Sequence, residues 1–343
     1  MNVRQVKALV QEWVEVHGSR TPGFCGAHLM GGILSMADES VFPPYDDVDF
    51  SLVLQSTQEW ETHDISYKGL ILECGTVGIQ YYRSSEAVLS NPQLASNLAV
   101  DSILSDPTGL LRPIHAVVKQ EYAKRTWVQA RCTFEKNLVT HSLEEAIKAP
   151  SPAEAFVPFA LSIIYMAGAL IVADLRPPTH RRALVLMRDV LNRRGRAELQ
   201  EATLRLLGCA HLTRQQVEAF LNDAAATFDR AVEVTRTAIP YGFKLHPHVR
   251  PYLVDGFQEL IQEGHHREVT LWIMLMLIIS NSAIQLDAPD AEKPLFQARL
   301  ERLLQEIGLG TPHDVEAHLQ GARELASNIF MLADEMVEHL PVG

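Results

Sequence analysis

The chain has 343 residues, more than one hydrophobic core comfortably organises, so two domains are the first expectation. An apolar fraction of 47% with 21% charged residues is that of a globular protein and excludes wholesale disorder. Thirty basic residues against 42 acidic ones give a formal charge of −12, which argues against extended nucleic-acid binding while leaving room for a local basic pocket that holds one triphosphate.

Residues 1–18, MNVRQVKALVQEWVEVHG, read as an amphipathic helix charged throughout, unlike a signal peptide. A glycine-rich stretch follows, TPGFCGAHLMGGIL, and then a proline-containing loop ending at Pro43-Pro44. From Asp47 to Leu54 the sequence alternates. Asp47, Asp49, Ser51 and Val53 fall on one face, and Val48, Phe50, Leu52 and Leu54 on the other. This is a strand with one face for a core and one able to hold ligands. Tyr67–Gly75 reads as a second strand and Ser102–Leu104 as a short third, before the turn signature Asp106-Pro107-Thr108-Gly109.

From Ile114 onward the pattern is helical, with expected helices at 114–138, 153–174, 179–193, 196–207, 213–237, 247–262, 266–286, 294–306 and 313–338. Thr213 and Thr311 stand where helix caps belong. The expected fold is therefore α+β: a small sheet-and-helix domain over 1–112, then a large all-helical domain over 113–343.

Phe156–Ala173 is uncharged over 18 residues, the minimum for a membrane span, but it contains Pro158, Ser162 and Gly168 and has no basic flank on its N-terminal side. The apolar run Trp272–Ile279 is too short to span by itself. Both are expected to be buried core helices of a soluble protein without a membrane partner. Cys25, Cys74, Cys132 and Cys209 show no CxxC and no zinc spacing, which suits reduced thiols in the cytoplasm. No sequence feature fixes an oligomeric state.

Asp47 and Asp49, two residues apart on one strand, project from the same face. Carboxylates held that close repel unless a cation lies between them, and Mg²⁺ or Mn²⁺ prefers such oxygen donors. An Asp-x-Asp by itself also occurs on solvated edge strands. Glu73, the lone acid in the apolar strand LILECG, adds weight, as does the glycine-rich turn upstream. Three acids on a metal and backbone N–H groups around a leaving pyrophosphate are what phosphoryl or nucleotidyl transfer requires.

A glycine turn, a hydrophobic-Asp-hydrophobic-Asp strand and an acid on the next strand together resemble the nucleotidyltransferase superfamily. The resemblance is to its small-molecule branch, which includes the kanamycin, lincosamide and streptomycin nucleotidyltransferases, and it covers about the first 140 residues. Two registers of the turn are open. In one, Gly26-Ala27-His28-Leu29-Met30-Gly31 is similar to the family's Gly-Ser-x-Ala-x-Gly, with Ala27 in place of the serine. In the other, Gly31-Gly32 is the turn and Pro44–Asp49 resembles the lincosamide enzymes' segment.

The resemblance implies a nucleotidyltransferase-like mixed sheet in which Asp47, Asp49 and Glu73 bind Mg²⁺ or Mn²⁺, Glu73 also accepting the substrate hydroxyl proton. It further implies nucleotide contacts from Gly26, Ala27, Gly31, Gly32, Asp106, Arg131 and Lys136. The expected reaction moves a nucleoside monophosphate, AMP from ATP or the equivalent from another NTP, to a hydroxyl of a small molecule. Alternatives are a protein or RNA acceptor, and a nucleotide-binding homologue with little turnover.

The pairs His246/His248 and His265-His266 read as surface or helix-start histidines. The run Arg176–Arg182 reads as a solvated helix start, with anion binding as its alternative.

Overall fold

The computed structural model describes residues 1–56 and 60–340, so the last three residues of the expected helical domain lie outside it. The opening helix α1 (Val3–Val16) begins with a capping box between Asn2 and Gln5. Its valines at 3, 6, 10 and 14 recur at helical spacing and form the buried stripe. The chain continues through β1 (Phe24–Leu29), a 3₁₀ turn at Gly31–Ser35, β2 (Asp47–Leu54), β3 (Glu61–Tyr67) and β4 (Leu70–Gly78). After these come α2 (Ser85–Leu89), α3 (Pro92–Leu98), β5 (Ile103–Ser105) and α4 (Leu111–Glu121).

The strands form one mixed sheet in the order β3-β4-β2-β1-β5. β2 and β4 run parallel, and the other neighbours are antiparallel. A mixed sheet with flanking helices, followed by a large helical region, is the architecture the sequence predicts.

Two local expectations change. Much of the glycine-rich stretch is strand: Ala27 is fully buried, paired with Leu52 of β2 and Ser105 of β5. Tyr67 ends β3 rather than starting the next strand, and Lys68 and Gly69, both at positive φ, make the two-residue turn into β4. The edge strand β3, ETHDISY, escapes detection because most of its residues are polar on both faces.

Both faces of the sheet are packed, but one only in part. Val48, Phe50, Leu52 and Leu54 join Ala27, Leu29, Leu70 and Leu72 under the α1 valines. On the opposite face Val53 and Val77 are covered by Leu89 of α2, Leu94 and Leu98 of α3, and Leu111, Ile114 and Val118 of α4. Each fully buried Val or Leu contributes roughly 1.5–3 kcal/mol. This second layer covers the half of the face beyond Ser51; Asp47, Asp49 and Glu73, on the other half, stay partly accessible.

The remaining helices are α5 (Arg125–Lys148), α6 (Pro152–Ala173), α7 (Ala183–Arg193), α8 (Ala197–Leu206), α9 (Arg214–Val234), α10 (Gly256–Gln262), α11 (His266–Asp287), α12 (Lys293–Glu306) and α13 (Pro312–Glu338). By packing, the chain divides into two compact units. One comprises Met1–Phe134, Ile171–Thr179 and the stretch from Asp334; the other comprises Glu135–Leu170 and His180–Ala333. The second is all-helical, with α11 packed along α9.

The expected helix at 114–138 is two helices, α4 and α5, with a break at Tyr122–Lys124. The expected helix at 247–262 is also interrupted: Pro251 opens a π-helical turn, Pro251–Asp255, ahead of α10. α6 and α11 are each 22 residues long and apolar enough to cross a membrane by length and composition, with 78% and 72% of their most apolar windows buried. The run Trp272–Ile279, short by itself, lies within α11.

Candidate functional site

β2 and β4 assemble the acidic cluster. Their parallel register sets Asp49 directly beside Glu73, and Asp47 stands one pleat along β2 on the same face. One carboxylate oxygen from each of the three lies within 4.8 Å of the others, and all three side chains are half-buried. Two Mg²⁺ ligands at about 2.1 Å from the ion stand at most about 4.2 Å apart, so modest side-chain rotation brings the set to one cation. An all-oxygen, all-anionic donor set fits a hard divalent ion such as Mg²⁺ or Mn²⁺. Asp64 of β3, register partner of Glu73, extends the acidic row across the sheet.

The turn after β1 closes on this cluster. Gly31 has φ +67°, and a Cβ there would lie 2.2 Å from Asp49 Oδ2. Only glycine satisfies both the left-handed backbone and that approach. Three bonds hold the segment: Leu29 N–H to Ser102 O at 2.8 Å, Met30 N–H to Asp49 O at 2.8 Å, and Gly31 N–H to Asn97 Oδ1 at 3.3 Å. Gly32 faces open space, with no atom within 4 Å of where its Cβ would be.

The tertiary structure thus puts the turn at Gly31-Gly32. Gly26 and Ala27 lie inside β1 instead. A Cβ on Gly26 would sit 2.8 Å from a Leu111 methyl carbon and 2.9 Å from Ser105 O, so this glycine lets α4 close onto β1.

The row behind the acids on the same face is buried and polar. His28 is fully buried; its Nδ1 lies 3.0 Å from Leu29 O and its Nε2 2.7 Å from the Tyr82 hydroxyl. Those partners suit the Nδ1–H tautomer, with Tyr82 donating to Nε2. Burial lowers the His28 pKa to about 4, so the ring is neutral near pH 7. The Ser51 hydroxyl, in register with His28, donates to the Met30 sulfur.

Asp106, Arg131 and Lys136 occupy other settings. The Asp106 carboxylate accepts the N–H groups of Leu111 at 3.1 Å and Arg112 at 3.0 Å and so caps α4. Arg131 is fully buried: its guanidinium donates to Leu89 O at 3.0 Å and Tyr122 O at 2.6 Å and stacks 4.3 Å over the Tyr122 ring. It thereby satisfies the carbonyls left free where α2 and α4 end. Lys136 belongs to the second unit, its ammonium 5.3 Å from the Phe330 ring centroid.

The residue that sequence reading passed over is Asn97. Asn91-Pro92 is a helix-start signal that locates α3, but a contact across 66 positions leaves no trace in a single sequence.

The basic run is occupied by protein partners. Arg182 binds Glu259 and Glu263, and Arg181 stacks over Tyr252. His265 Nδ1 lies 2.8 Å from an Arg188 nitrogen, and the His246 and His248 rings stack on each other. Among the described residues, the only group of three or more His, Cys, Asp or Glu placed to hold a metal ion is the Asp47–Asp49–Glu73 cluster.

No family model matches this chain, and no curated protein does. Among solved structures, it is similar to a nucleotidyltransferase-like protein from Exiguobacterium sibiricum 255-15, at a TM-score of 0.30 and 10% identity, over 89% of this chain and 89% of that one. A likeness of that size carries no weight, and the functional reading rests on the residues of the site.

Proposed function

We propose that the protein transfers a nucleoside monophosphate, AMP from ATP, to a hydroxyl of a small molecule and releases pyrophosphate. The observation that carries this reading is the three-carboxylate cluster with a glycine turn closed against one of its members. Asp47, Asp49 and Glu73 would hold Mg²⁺, which when bound offsets the negative charge of the phosphate oxygens. The Gly31-Gly32 turn would bring backbone N–H donors to the departing pyrophosphate. Glu73 would take the proton as the acceptor oxygen bonds to the α-phosphorus and the bond to the β-phosphate oxygen breaks. The buried Ser51–His28–Tyr82 row supports the strand behind the acids with neutral groups that add no competing charge.

We also infer a cytoplasmic protein, because all four cysteines are free thiols buried away from one another's chemistry. The family's turn serine, which the resemblance replaces by Ala27, would supply one phosphate hydrogen bond; its loss favours, as a second reading, a nucleotide binder of low turnover.

Mn²⁺ and ATP binding by calorimetry, followed by transfer of label from α-labelled ATP to a panel of hydroxyl-bearing acceptors, tests both readings. The double variant Asp47→Asn, Asp49→Asn is expected to lose Mn²⁺ binding and label transfer together. Unchanged Mn²⁺ and ATP affinity in that variant removes the site. ATP binding without label transfer to any acceptor selects the second reading.

A further inference from the structure

Asn97 stands out as a buried polar side chain with half of its hydrogen-bonding capacity uncommitted. It lies on α3 between Leu94 and Leu98, both fully buried, and is itself 3% exposed. Its Oδ1 accepts the Gly31 N–H, and this contact fixes the amide's orientation, since only the oxygen can accept that proton. The Nδ2 group, with two N–H donors, therefore faces away from the Gly31 nitrogen and has no hydrogen-bond acceptor among the described residues. By covalent geometry it lies within about 5 Å of that nitrogen. Nδ2 is not one of the fully buried side-chain atoms that lack a partner, so its donors remain accessible to a ligand.

The neighbourhood defines what that acceptor is. Gly31 touches the Asp49 carboxylate, and Gly32 beside it opens into free space. A phosphate oxygen in that space suits a cation on Asp49, and phosphate oxygens accept N–H donors strongly. We propose that Asn97 is a phosphate-binding residue: its Nδ2 donates to an oxygen of the pyrophosphate portion of the nucleotide. It supplies from α3 the hydrogen bond that the turn, with glycine at 32, does not supply. This inference rests on the nucleotidyl-transfer reading and adds a residue to it.

The test uses Mn²⁺ alone, Mn²⁺ with inorganic pyrophosphate, and Mn²⁺ with ATP as calorimetric probes on the full chain. Asn97→Ala is expected to weaken pyrophosphate and ATP about tenfold, the effect of one hydrogen bond to a charged group, while Mn²⁺ alone binds as before. Adding Gly32→Ser to Asn97→Ala places a hydroxyl in the free space and is expected to restore most of the lost affinity. A purely structural asparagine predicts no such rescue. If Asn97→Ala unfolds, Asn97→Asp serves in its place, because it keeps the acceptor for Gly31 and loses both donors; it too should lose pyrophosphate affinity.

Unchanged pyrophosphate affinity in both variants overturns the proposal. So does a loss that falls equally on Mn²⁺ alone and that Gly32→Ser leaves uncorrected. Folded wild-type protein that takes up Mn²⁺ but no pyrophosphate or ATP overturns the underlying reading instead, a result separate from either variant outcome.

Discussion

Gly31 joins backbone and chemistry at a single position. Its φ of +67° and the 2.2 Å approach of a Cβ to Asp49 Oδ2 oppose any side chain. Gly31→Ala is expected to destabilise the protein by about 1–2 kcal/mol through backbone strain, and to push Asp49 out of line with Glu73. A thermal-melt series and Mn²⁺ titration check this together; a variant with native Mn²⁺ affinity would show that the turn does not set the carboxylate. Gly26, in the same glycine-rich stretch, answers to packing against Leu111, so two glycines five positions apart have different physical causes. Sequence inspection leaves that difference open because neither neighbour, Asp49 or Leu111, is local in the chain.

At the scale of elements, two buried charged side chains make opposite predictions. Arg131 binds the carbonyls of Leu89 and Tyr122, at the ends of α2 and α4. Arg131→Met would leave Leu89 O and Tyr122 O without their donor at a cost of about 2–4 kcal/mol, measurable as a lower denaturant midpoint. ATP affinity per folded molecule should remain, in contrast to a nucleotide-contacting role.

Glu135, on the part of α5 in the second unit, is 4% exposed, and its carboxylate lies 2.7 Å from where a Gly168 Cβ would be. Desolvation raises its pKa from 4.5 to about 8. Between those values the folded protein holds a proton that the unfolded chain has released. Its contribution to stability therefore falls as pH rises from about 4.5 to about 8, by a total on the order of 5 kcal/mol. Glu135→Gln should flatten that part of the stability–pH curve and gain most over the wild type at the alkaline end. Unfolding midpoints at about pH 5, 6.5 and 8 compare the two curves; parallel curves reject a buried neutral carboxyl.

At the scale of the whole molecule, α6 and α11 are apolar enough to span a membrane, yet 78% and 72% of their most apolar windows are buried within the fold, which is the pattern of core helices. Recovery of the expressed protein in the supernatant without detergent is the expected outcome. Extraction only with detergent would reverse the assignment of both helices. Most of the helical half was legible because most of its breaks fall at Pro and Gly and its caps at Thr213 and Thr311, whereas the break at Tyr122–Lys124 contains neither residue type and gave no signal. In the sheet, β2 was legible from its alternation and β4 and β5 in part from short apolar runs, whereas β1, buried over nearly its full length, and β3, polar over most of its, have no period-two signal.

By itself, the sequence determined the α+β order of elements, the strand from Asp47 to Leu54, the acid pair on it and Glu73 on a later strand. Those follow from local rules, namely side-chain alternation, helical periodicity and turn chemistry. Only the tertiary structure decided that β2 and β4 run parallel in a register that sets Asp49 beside Glu73, and that Gly31 rather than Gly26 meets the acids. It likewise placed Asn97 at the turn and Arg131 in the interior. These depend on strand register and helix docking, which are set by the sum of many weak apolar contacts across the chain rather than by any short run of residues.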